Sequence, residues 1–180
     1  LFRSEKELDR FAREHDMFSH HLVERVEGIV KQAGIIAGKY DVVVTNPPYM
    51  GNRGMSGTLI KYLKKNFSDS KSDLFACFIE RCINITKETK FTAMITQHSW
   101  MFLSSFQKLR ERLLASNTIS SMVHLGARAF EEIGGEVVQS TSFILIKTNI
   151  NKYKSTFVRL VDFNNYIQKE EEFLKKKYRY

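Results

Sequence analysis

The sequence contains little proline, cysteine or glycine: its 180 residues include two prolines, two cysteines and nine glycines. No uninterrupted apolar run is long enough to span a bilayer, and there is no signal-peptide pattern. A cytoplasmic location without membrane attachment is therefore predicted. Cys77 and Cys82 lie five residues apart in a predicted helix, a spacing that suits neither a disulfide nor a metal site. We expect both thiols to be reduced and buried as small hydrophobic side chains.

Motifs for metal and phosphate binding are also missing. No metal is predicted, because the five histidines are scattered without the spacing of a zinc site: His15, His20, His21, His98 and His124. Gly51, Gly54 and Gly57 are spaced like the glycines of a phosphate loop. Such a loop directly follows a strand, and here two prolines already occupy that position. We predict instead that residues 51–57 form a mobile lid beside a pocket.

The charge balance is basic, with 28 lysines and arginines against 20 acidic residues, a net charge of +8 and a sequence pI near 9.5. A surface of this kind suits a polyanion as partner. The basic run from Lys175 to Tyr180 is the extreme case, and a frayed, solvated terminus is favoured there over a phosphate contact. Hydrophobic residues make up 43% of the chain, enough for one globular core.

Both prolines lie side by side, in Thr45-Asn46-Pro47-Pro48-Tyr49, directly after the strand-like run Asp41–Val44. Proline fixes φ and disfavours helical backbone at the residue before it. Residues 46–49 are therefore predicted to form a stiff, extended turn at the carboxyl end of a strand. In open α/β sheets, that end of the strands is where ligands bind.

This turn offers two hydrogen-bond acceptors and an aromatic ring. The Asn46 side chain and the Pro47 carbonyl can converge on one exocyclic amine, while Tyr49 stacks on the flat group that carries it. Accepting both amine hydrogens localises the lone pair, which can then attack a sulfonium methyl group in line, through positioning and not through a strong base. The alternative is a turn that only closes a strand; Asn before the prolines and Tyr after them favour the functional interpretation.

Hydrophobic periodicity predicts an α/β fold with a mostly parallel sheet and an antiparallel edge hairpin. Ser4 and Glu7 form a capping box that begins a first helix. The further predicted helices are 20–37, 58–66, 73–86, 104–114 and one from about Asn164; the strands are 39–45, 91–96 and 119–125, followed by 137–147 and 156–161 as a final antiparallel pair.

Asn46-Pro47-Pro48-Tyr49 matches the catalytic motif of the amino-group methyltransferases that use S-adenosylmethionine. Three further runs resemble the adenine-specific DNA branch of these enzymes: 72–80 (SDLFACFIE) its next helix, 91–100 (FTAMITQHSW) its next strand and loop, and 130–141 (FEEIGGEVVQST) its closing hairpin. Together, residues 40–147 resemble the large adenine methyltransferases of BREX-type phage-exclusion systems. They are also similar to type II enzymes that fuse restriction and modification.

The resemblance implies a Rossmann-like S-adenosylmethionine-dependent methyltransferase fold, of which this chain carries the C-terminal half. No glycine-rich turn precedes Asp41, so the main cofactor loop is expected N-terminal to the motif, and a DNA-recognition domain is expected elsewhere. The chain opens at Leu1 without an initiator methionine, which suggests excision from a longer protein. The expected divisions are a helical lead-in (1–38), half of the catalytic domain (39–162) and a charged C-terminal helix (163–180).

The resemblance also implies roles for single residues. Asn46 and the Pro47 carbonyl orient and polarise the amine, Pro48 rigidifies the turn, and Tyr49 and Phe130 sandwich a flipped adenine. For Phe130, a hydrophobic side chain that merely covers its loop is the alternative.

Two apolar positions of the next helix are implied in cofactor binding. Leu74 and Phe78 lie one helical turn apart and flank the adenine of S-adenosylmethionine, with core packing as the alternative or additional role. Trp100 follows a strand end, where it either stacks on a base or anchors the core.

The implied activity is methylation of the adenine N6 amino group in duplex DNA, after the base leaves the stack, in a phage-defence or restriction-modification system. The partners would be duplex DNA and other defence proteins, and this fragment alone is expected to be inactive. An amino-methyltransferase acting on RNA or protein glutamine stays open, although the long hairpin after Phe130 argues against the protein substrate. A third hypothesis is a non-catalytic DNA-docking or assembly module of a defence complex.

Overall fold

The computed structural model describes residues 17–130 and 138–175, which separate into two compact units, one before Tyr40 and one from Tyr40 onward. The first unit contains helix α1 (Met17–Ala37), close to the predicted range 20–37. The capping box predicted at Ser4 lies outside the described residues. None of the helices in the described ranges is long and apolar enough to cross a membrane.

The second unit alternates strands and helices, as the periodicity predicted. Its elements are β1 (Tyr40–Thr45), α2 (Gly57–Asn66), α3 (Leu74–Ile85), β2 (Thr86–Gln97), α4 (Gln107–Ser116), β3 (Thr118–Gly126), β4 (Ser140–Ile146), β5 (Thr156–Arg159) and α5 (Tyr166–Lys175). The largest difference in bounds is at β2, which begins at Thr86 and not at Phe91. The Thr86 hydroxyl lies 2.7 Å from the Cys82 carbonyl and 2.8 Å from the Thr92 hydroxyl, so the chain turns from α3 into β2 without a loop.

The five strands form one sheet in the order β1-β2-β4-β3-β5. Strands β1, β2, β3 and β5 share one direction, and β4 is antiparallel to both of its neighbours. The prediction of a mostly parallel sheet is thus confirmed. The prediction of an antiparallel hairpin at the edge, with β4 paired to β5, is wrong: β4 lies inside the sheet and β5 pairs in parallel with β3.

The reason for this order lies in the connection between β4 and β5. The Thr118 hydroxyl donates to the Thr148 carbonyl at 2.7 Å and accepts from the Ile150 amide at 2.8 Å, while the Ser155 hydroxyl donates to the Ile119 carbonyl at 2.6 Å. These bonds attach the β4–β5 connection to the first residues of β3, so that β5 pairs with the side of β3 that faces away from β4. Consecutive strands pair more often than not, so pattern alone favoured the wrong neighbour.

Helices α3 and α4 cover one face of the sheet and form the main core. The buried side chains of this core, here called the main cluster, are Phe75, Ala76, Ile79, Cys82, Met94, Trp100, Phe106, Leu109, Leu113, Met122, Phe143 and Leu145. Phe75 and Ile79 are fully buried one helical turn apart on α3. Burying a side chain of this size stabilises a fold by about 1.5–3 kcal/mol.

Helix α5 is attached to the sheet by a buried lysine. Lys169 is 3% exposed, and its ammonium donates to the carbonyls of Leu125 at 2.7 Å and Leu160 at 2.6 Å. Burial lowers the pKa of this group, and Asp162 partly opposes that effect. A charged C-terminal helix was predicted, but a lysine buried within it was not, because a charge pattern normally marks a solvated face.

Candidate active site

The proline turn leaves the carboxyl end of β1, where the sequence placed it. Val43 of β1 packs against the main cluster, and Pro47 is buried while Asn46 and Pro48 are exposed. Because β2, β3 and β5 run in the same direction as β1, their carboxyl ends lie along the same edge of the sheet. The Asn46 side chain is thus open to a ligand on the edge where such sheets bind one.

Tyr49 is held in a fixed orientation beside Asn46. Its ring packs edge-on against Phe75, with centroids 6.1 Å apart and an interplanar angle of 83°, and its hydroxyl donates weakly to Asn46 Oδ1 at 3.4 Å. Burial raises the pKa of the Tyr49 hydroxyl, so the phenol stays a neutral donor around neutral pH. One side of the ring is therefore anchored in the core, and the residue as a whole is only half-buried.

Asp73 ties the chain after Tyr49 to the beginning of α3. One carboxylate oxygen accepts from the amides of Met50 at 3.1 Å and Phe75 at 3.3 Å, and Gly51 forms an isolated bridge with Asp73. Burial raises the pKa of Asp73, which these backbone donors partly oppose. Asp73 was predicted only as the first residue of a helix, although Asp before an apolar helical run is an ordinary N-cap signal.

Ser140, the first residue of β4, reaches the same site from a distant part of the chain. Because β4 is antiparallel, Ser140 lies at the carboxyl edge, paired with Gln97 of β2 and Gly126 of β3. Among the described residues, its buried hydroxyl has no partner at hydrogen-bond geometry, yet its interaction with the Tyr49 hydroxyl lowers that group's pKa against the effect of burial. No local sequence signal could have identified this residue, since the position of β4 in the sheet brings it there.

The remaining predicted site residues are distributed around this edge. Leu74 donates its amide to the Met50 carbonyl at 3.0 Å, and its side chain packs with Met55, Leu63 and Cys77, here called the small cluster. Phe78, one turn further along α3, packs against the main cluster instead, and both are half-buried. The structure therefore keeps both on α3 near the proline turn.

Phe130 is placed differently. It is 45% exposed on the loop that leaves β3, and β2 and β4 separate β3 from β1 in the sheet. Among the described residues, the ring that packs on Tyr49 is Phe75 and not Phe130. Phe130 therefore lies at the carboxyl edge of the sheet, as does the proline turn, but it does not contact Tyr49 in this structure.

Trp100 is a core side chain. It is 3% exposed, its indole donates to the Thr96 hydroxyl at 3.1 Å, and its ring packs edge-on against Phe143 at 5.1 Å. Of the two alternatives for this residue, the structure shows the core anchor. The guanidinium of Arg110 fixes the segment after it by donating to the carbonyls of Trp100 and Leu103 at 2.8 and 2.7 Å.

Two histidines that are distant in sequence form a pair at the carboxyl edge. His98 Nδ1 and His124 Nε2 are 2.8 Å apart, and Phe102 packs against both rings. Burial lowers the pKa of His98. Burial also lowers the pKa of His124, with added contributions from His98, Arg159 and Lys169. Their separation in the sequence gave no sign of this pair, because only the folded sheet brings His124 of β3 to the residue that follows β2.

We expect this histidine pair to make stability depend on pH. Both pKa values are lowered in the folded state from the ordinary 6.5, so unfolding takes up protons below that pH. The contribution is complete above pH 6.5 and is lost as the pH falls, by less than about 1.4 kcal/mol per pH unit for each proton. Urea unfolding between pH 8 and 5 should show wild type losing more stability than His98→Gln/His124→Gln. Parallel pH profiles for the two proteins would contradict this.

Both cysteines are buried and unpaired, as predicted. Burial is the largest effect that raises their pKa values, to about 11 for Cys77 and about 11 for Cys82. Cys77 belongs to the small cluster and Cys82 to the main cluster, so they face different parts of the core. Both thiols stay protonated at neutral pH and act as hydrophobic side chains.

Solved structures define the class of this fold as S-adenosylmethionine-dependent methyltransferase. A Listeria monocytogenes protein assigned to class I of these enzymes matches with a TM-score of 0.54 and 15% identity, over 78% of this chain and 42% of that one. The Type ISP restriction-modification enzyme LlaGI, solved as a nuclease-deletion mutant with a DNA substrate mimic, matches with a TM-score of 0.59 and 16% identity, over 93% of this chain and 19% of that one.

This chain belongs to the Eco57I restriction-modification methylase family, whose model matches residues 2–130. It is 50% identical over 149 residues to the adenine-specific methyltransferase PglX of Lacticaseibacillus casei strain Zhang, covering 83% of this chain and 12% of that protein. It is 47% identical over 157 residues to the adenine-specific methyltransferase BrxX of Escherichia coli O9:H4 strain HS, covering 87% and 13%. The resemblance stated from the sequence is confirmed, and the chain spans about an eighth of these relatives.

Proposed function

We propose that the protein containing this chain methylates the N6 amino group of adenine in duplex DNA, as part of a phage-defence or restriction-modification system. The observation that carries the proposal is the exposed Asn46 side chain next to the Pro47 carbonyl, at the carboxyl edge and beside the anchored Tyr49 ring. Family membership supports the reaction, and the names of the two curated relatives support adenine as the substrate. The DNA substrate mimic bound by LlaGI supports DNA as the partner.

The proposed chemistry depends on positioning. The Asn46 amide oxygen and the Pro47 carbonyl accept the two hydrogens of the amine, which directs its lone pair away from the ring. Buried Pro47 and exposed Pro48 restrict the backbone, so the two acceptors are preorganised and lose little conformational freedom on binding. No strong base is required, since the proton leaves only after the nitrogen has gained its positive charge.

The base is held by aromatic contacts after it leaves the duplex. Extrusion costs a few kcal/mol of stacking and pairing free energy. Stacking on Tyr49 contributes about 1–3 kcal/mol, and we assign the opposite side of the base to Phe130. The 45% exposure of Phe130 leaves its ring available for this contact, which requires the loop after β3 to approach the turn.

S-adenosylmethionine fits the apolar side chains at the beginning of α3. Leu74 and Phe78 lie on successive turns and are half-buried, so part of each side chain remains to cover a flat ring. When bound, the cofactor supplies a methyl group on a positively charged sulfur. Asp73 is occupied with the amides of Met50 and Phe75, which fits a role in shaping this corner and not in binding the ribose.

The assembly around this site follows the same proposal. We assign residues 39–162 to the catalytic domain, with 1–38 as a helical lead-in and 163–180 as a charged C-terminal helix. The separation of the described residues at Tyr40 supports the first of these boundaries. A cytoplasmic location and further defence proteins as partners complete the proposal.

Methyl transfer to competing substrates tests the function. Purified full-length protein would be incubated with labelled S-adenosylmethionine and with duplex DNA, structured RNA or glutamine-containing peptide, and the products identified by mass spectrometry. We expect N6-methyladenine in DNA and no label in the other two. Label only in RNA or only in peptide would show that this molecule, and not DNA, is the substrate. The absence of label in all three substrates would favour a docking or assembly module.

Two substitutions at Tyr49 separate the ring from its hydroxyl. Tyr49→Phe should keep most activity, because the bond to Asn46 at 3.4 Å is weak. Tyr49→Ala should lose roughly ten- to hundredfold in affinity for DNA with a mismatched target base, as expected for a lost stacking contact. Tyr153→Ala, an exposed tyrosine on the connection between β4 and β5, is the matched control. Equal losses in Tyr49→Phe and Tyr49→Ala would assign the role to the hydroxyl instead.

A further inference from the structure

Helix α2 lies in a segment of the chain that leaves the carboxyl edge of the sheet and then returns to it. The chain departs from this edge at Met50 and Gly51, directly after Tyr49, and returns to the same place at Asp73. The amide of Leu74 closes the excursion by donating to the Met50 carbonyl at 3.0 Å. Both ends of the excursion therefore lie next to the proline turn, and α2 lies in the chain between them.

One face of α2 is fixed against the rest of the unit. Leu63 is 2% exposed and packs with Met55 and Cys77 in the small cluster, joined by Leu59 and Ile60. The hydroxyl of Ser56 caps the helix by accepting from the Leu59 amide at 3.3 Å. This packing determines which face of α2 points outward.

The outward face of α2 is basic. At 100° per residue, Lys61 and Lys65 lie opposite Leu63, Lys64 lies on one flank, and Tyr62, 56% exposed, lies on the other. None of these lysines forms an ion pair within the described part of the chain, whereas Lys87 and Lys90 pair with Asp41 and Lys147 pairs with Glu88.

The nearby carboxylates do not neutralise this face. Asp69, which follows α2, pairs with Arg112 of α4, and Asp73 accepts from backbone amides. Arg53, in the short 3-10 turn Asn52–Gly54 before the helix, adds a further exposed cation without an ion pair among the described residues. Within the described residues, the positive charge of α2 and Arg53 is thus not used by an ion pair and is available to a partner.

We propose that the outward face of α2, with Lys61 and Lys65 at its centre, binds the phosphate backbone of duplex DNA beside the extruded base. This inference rests on the proposed function and adds the surface that holds its substrate. The two lysines are about 6 Å apart along the helix axis. A duplex carries one phosphate per roughly 1.7 Å of its length, so each lysine can reach a different phosphate. The exposed ring of Tyr62 offers a flat surface to the sugar–base side of the same strand.

The test compares two pairs of lysines in the full-length protein. Lys61→Gln/Lys65→Gln changes the proposed surface. Lys152→Gln/Lys154→Gln removes the same number of charges from the β4–β5 connection, which lies at the opposite edge because β4 is antiparallel. The dissociation constant for duplex DNA would be measured over a series of salt concentrations. Each lost phosphate contact reduces the slope of log K against log salt by about 0.9, so the first pair should reduce it by roughly 2 and the second should leave it unchanged.

Two further measurements separate DNA binding from helix stability. Lys65 lies in the last turn of α2, where a cation also stabilises the helix dipole. If that were its only role, Lys61→Gln/Lys65→Gln would lower the melting temperature and leave the salt slope at the wild-type value, which overturns the inference. Lys61→Arg/Lys65→Arg should restore the slope, because Arg also neutralises phosphate.

Wild-type activity separates failure of the inference from failure of the proposed function. If the wild type methylates DNA and Lys61→Gln/Lys65→Gln has the same salt slope as the wild type, the inference alone is overturned. A wild-type protein that neither binds nor methylates DNA would overturn the proposed function together with the inference.

Discussion

Replacing Asn46 with alanine in the full-length protein will lower the rate of adenine methylation by about a hundred- to a thousandfold while the protein stays folded. Asn46 is one of two acceptors at the turn, and removing a preorganised group aimed at developing charge has an effect of this size. Folding should be retained because the Asn46 side chain is exposed, and the bond that it accepts from the Tyr49 hydroxyl is weak, at 3.4 Å. Initial rates at saturating DNA and cofactor would measure the change.

Two companion variants make the Asn46 result specific. Asn46→Asp keeps an acceptor oxygen at the same distance from the backbone, so it should retain more activity than Asn46→Ala. Asn151→Ala removes an exposed asparagine from the β4–β5 connection and should match wild type. If Asn46→Ala kept more than a tenth of the wild-type rate, the assignment of Asn46 as an amine acceptor would be wrong.

The isolated 180-residue chain is expected to bind S-adenosylmethionine weakly or not at all. Leu74 and Phe78 can cover one face of the cofactor's adenine. The residues before Asp41 contain no glycine-rich turn for a close backbone approach and form helix α1 where they are described. A polar ligand deprived of its hydrogen-bond partners loses several kcal/mol. A loss of about 4 kcal/mol moves a micromolar dissociation constant to millimolar.

Titration calorimetry on the isolated chain and on the full-length protein decides this second prediction. Circular dichroism would first establish that the isolated chain is folded, so that weak binding cannot be attributed to an unfolded protein. We expect micromolar binding only for the full-length protein. Micromolar binding by the isolated chain would show that a segment before Asp41 contributes to the cofactor site and is more than a helical lead-in.

The features that sequence reasoning predicted correctly depend on local signals. Two adjacent prolines after an apolar strand determine the backbone of the turn whatever surrounds it, and the turn lies at the predicted end of β1. The predicted helix 73–86 matches α3 to within a residue at each end. The family resemblance rested on the same short runs and is confirmed by the match over residues 2–130.

The features that could not be predicted from the sequence depend on which strands become neighbours in the sheet. The position of β4 between β2 and β3 places Ser140 near Tyr49. Because β2 and β3 each pair with one side of β4, their carboxyl ends bring His98 to His124. Lys169 is buried because its ammonium donates to the carbonyls of Leu125 and Leu160, at the ends of two strands. None of these contacts joins residues that are close in sequence, so periodicity and spacing carry no information about them.

Direct sequencing of methylated bases in cellular DNA tests whether the full-length protein methylates adenine through Asn46. DNA would be compared from cells that carry the full-length gene, the same gene with Asn46→Ala, and no gene. We predict N6-methyladenine at one recurring sequence in the first sample and at none of those positions in the other two. Absence of N6-methyladenine with the wild-type gene would contradict the proposed activity, and its persistence with Asn46→Ala would contradict the role of Asn46.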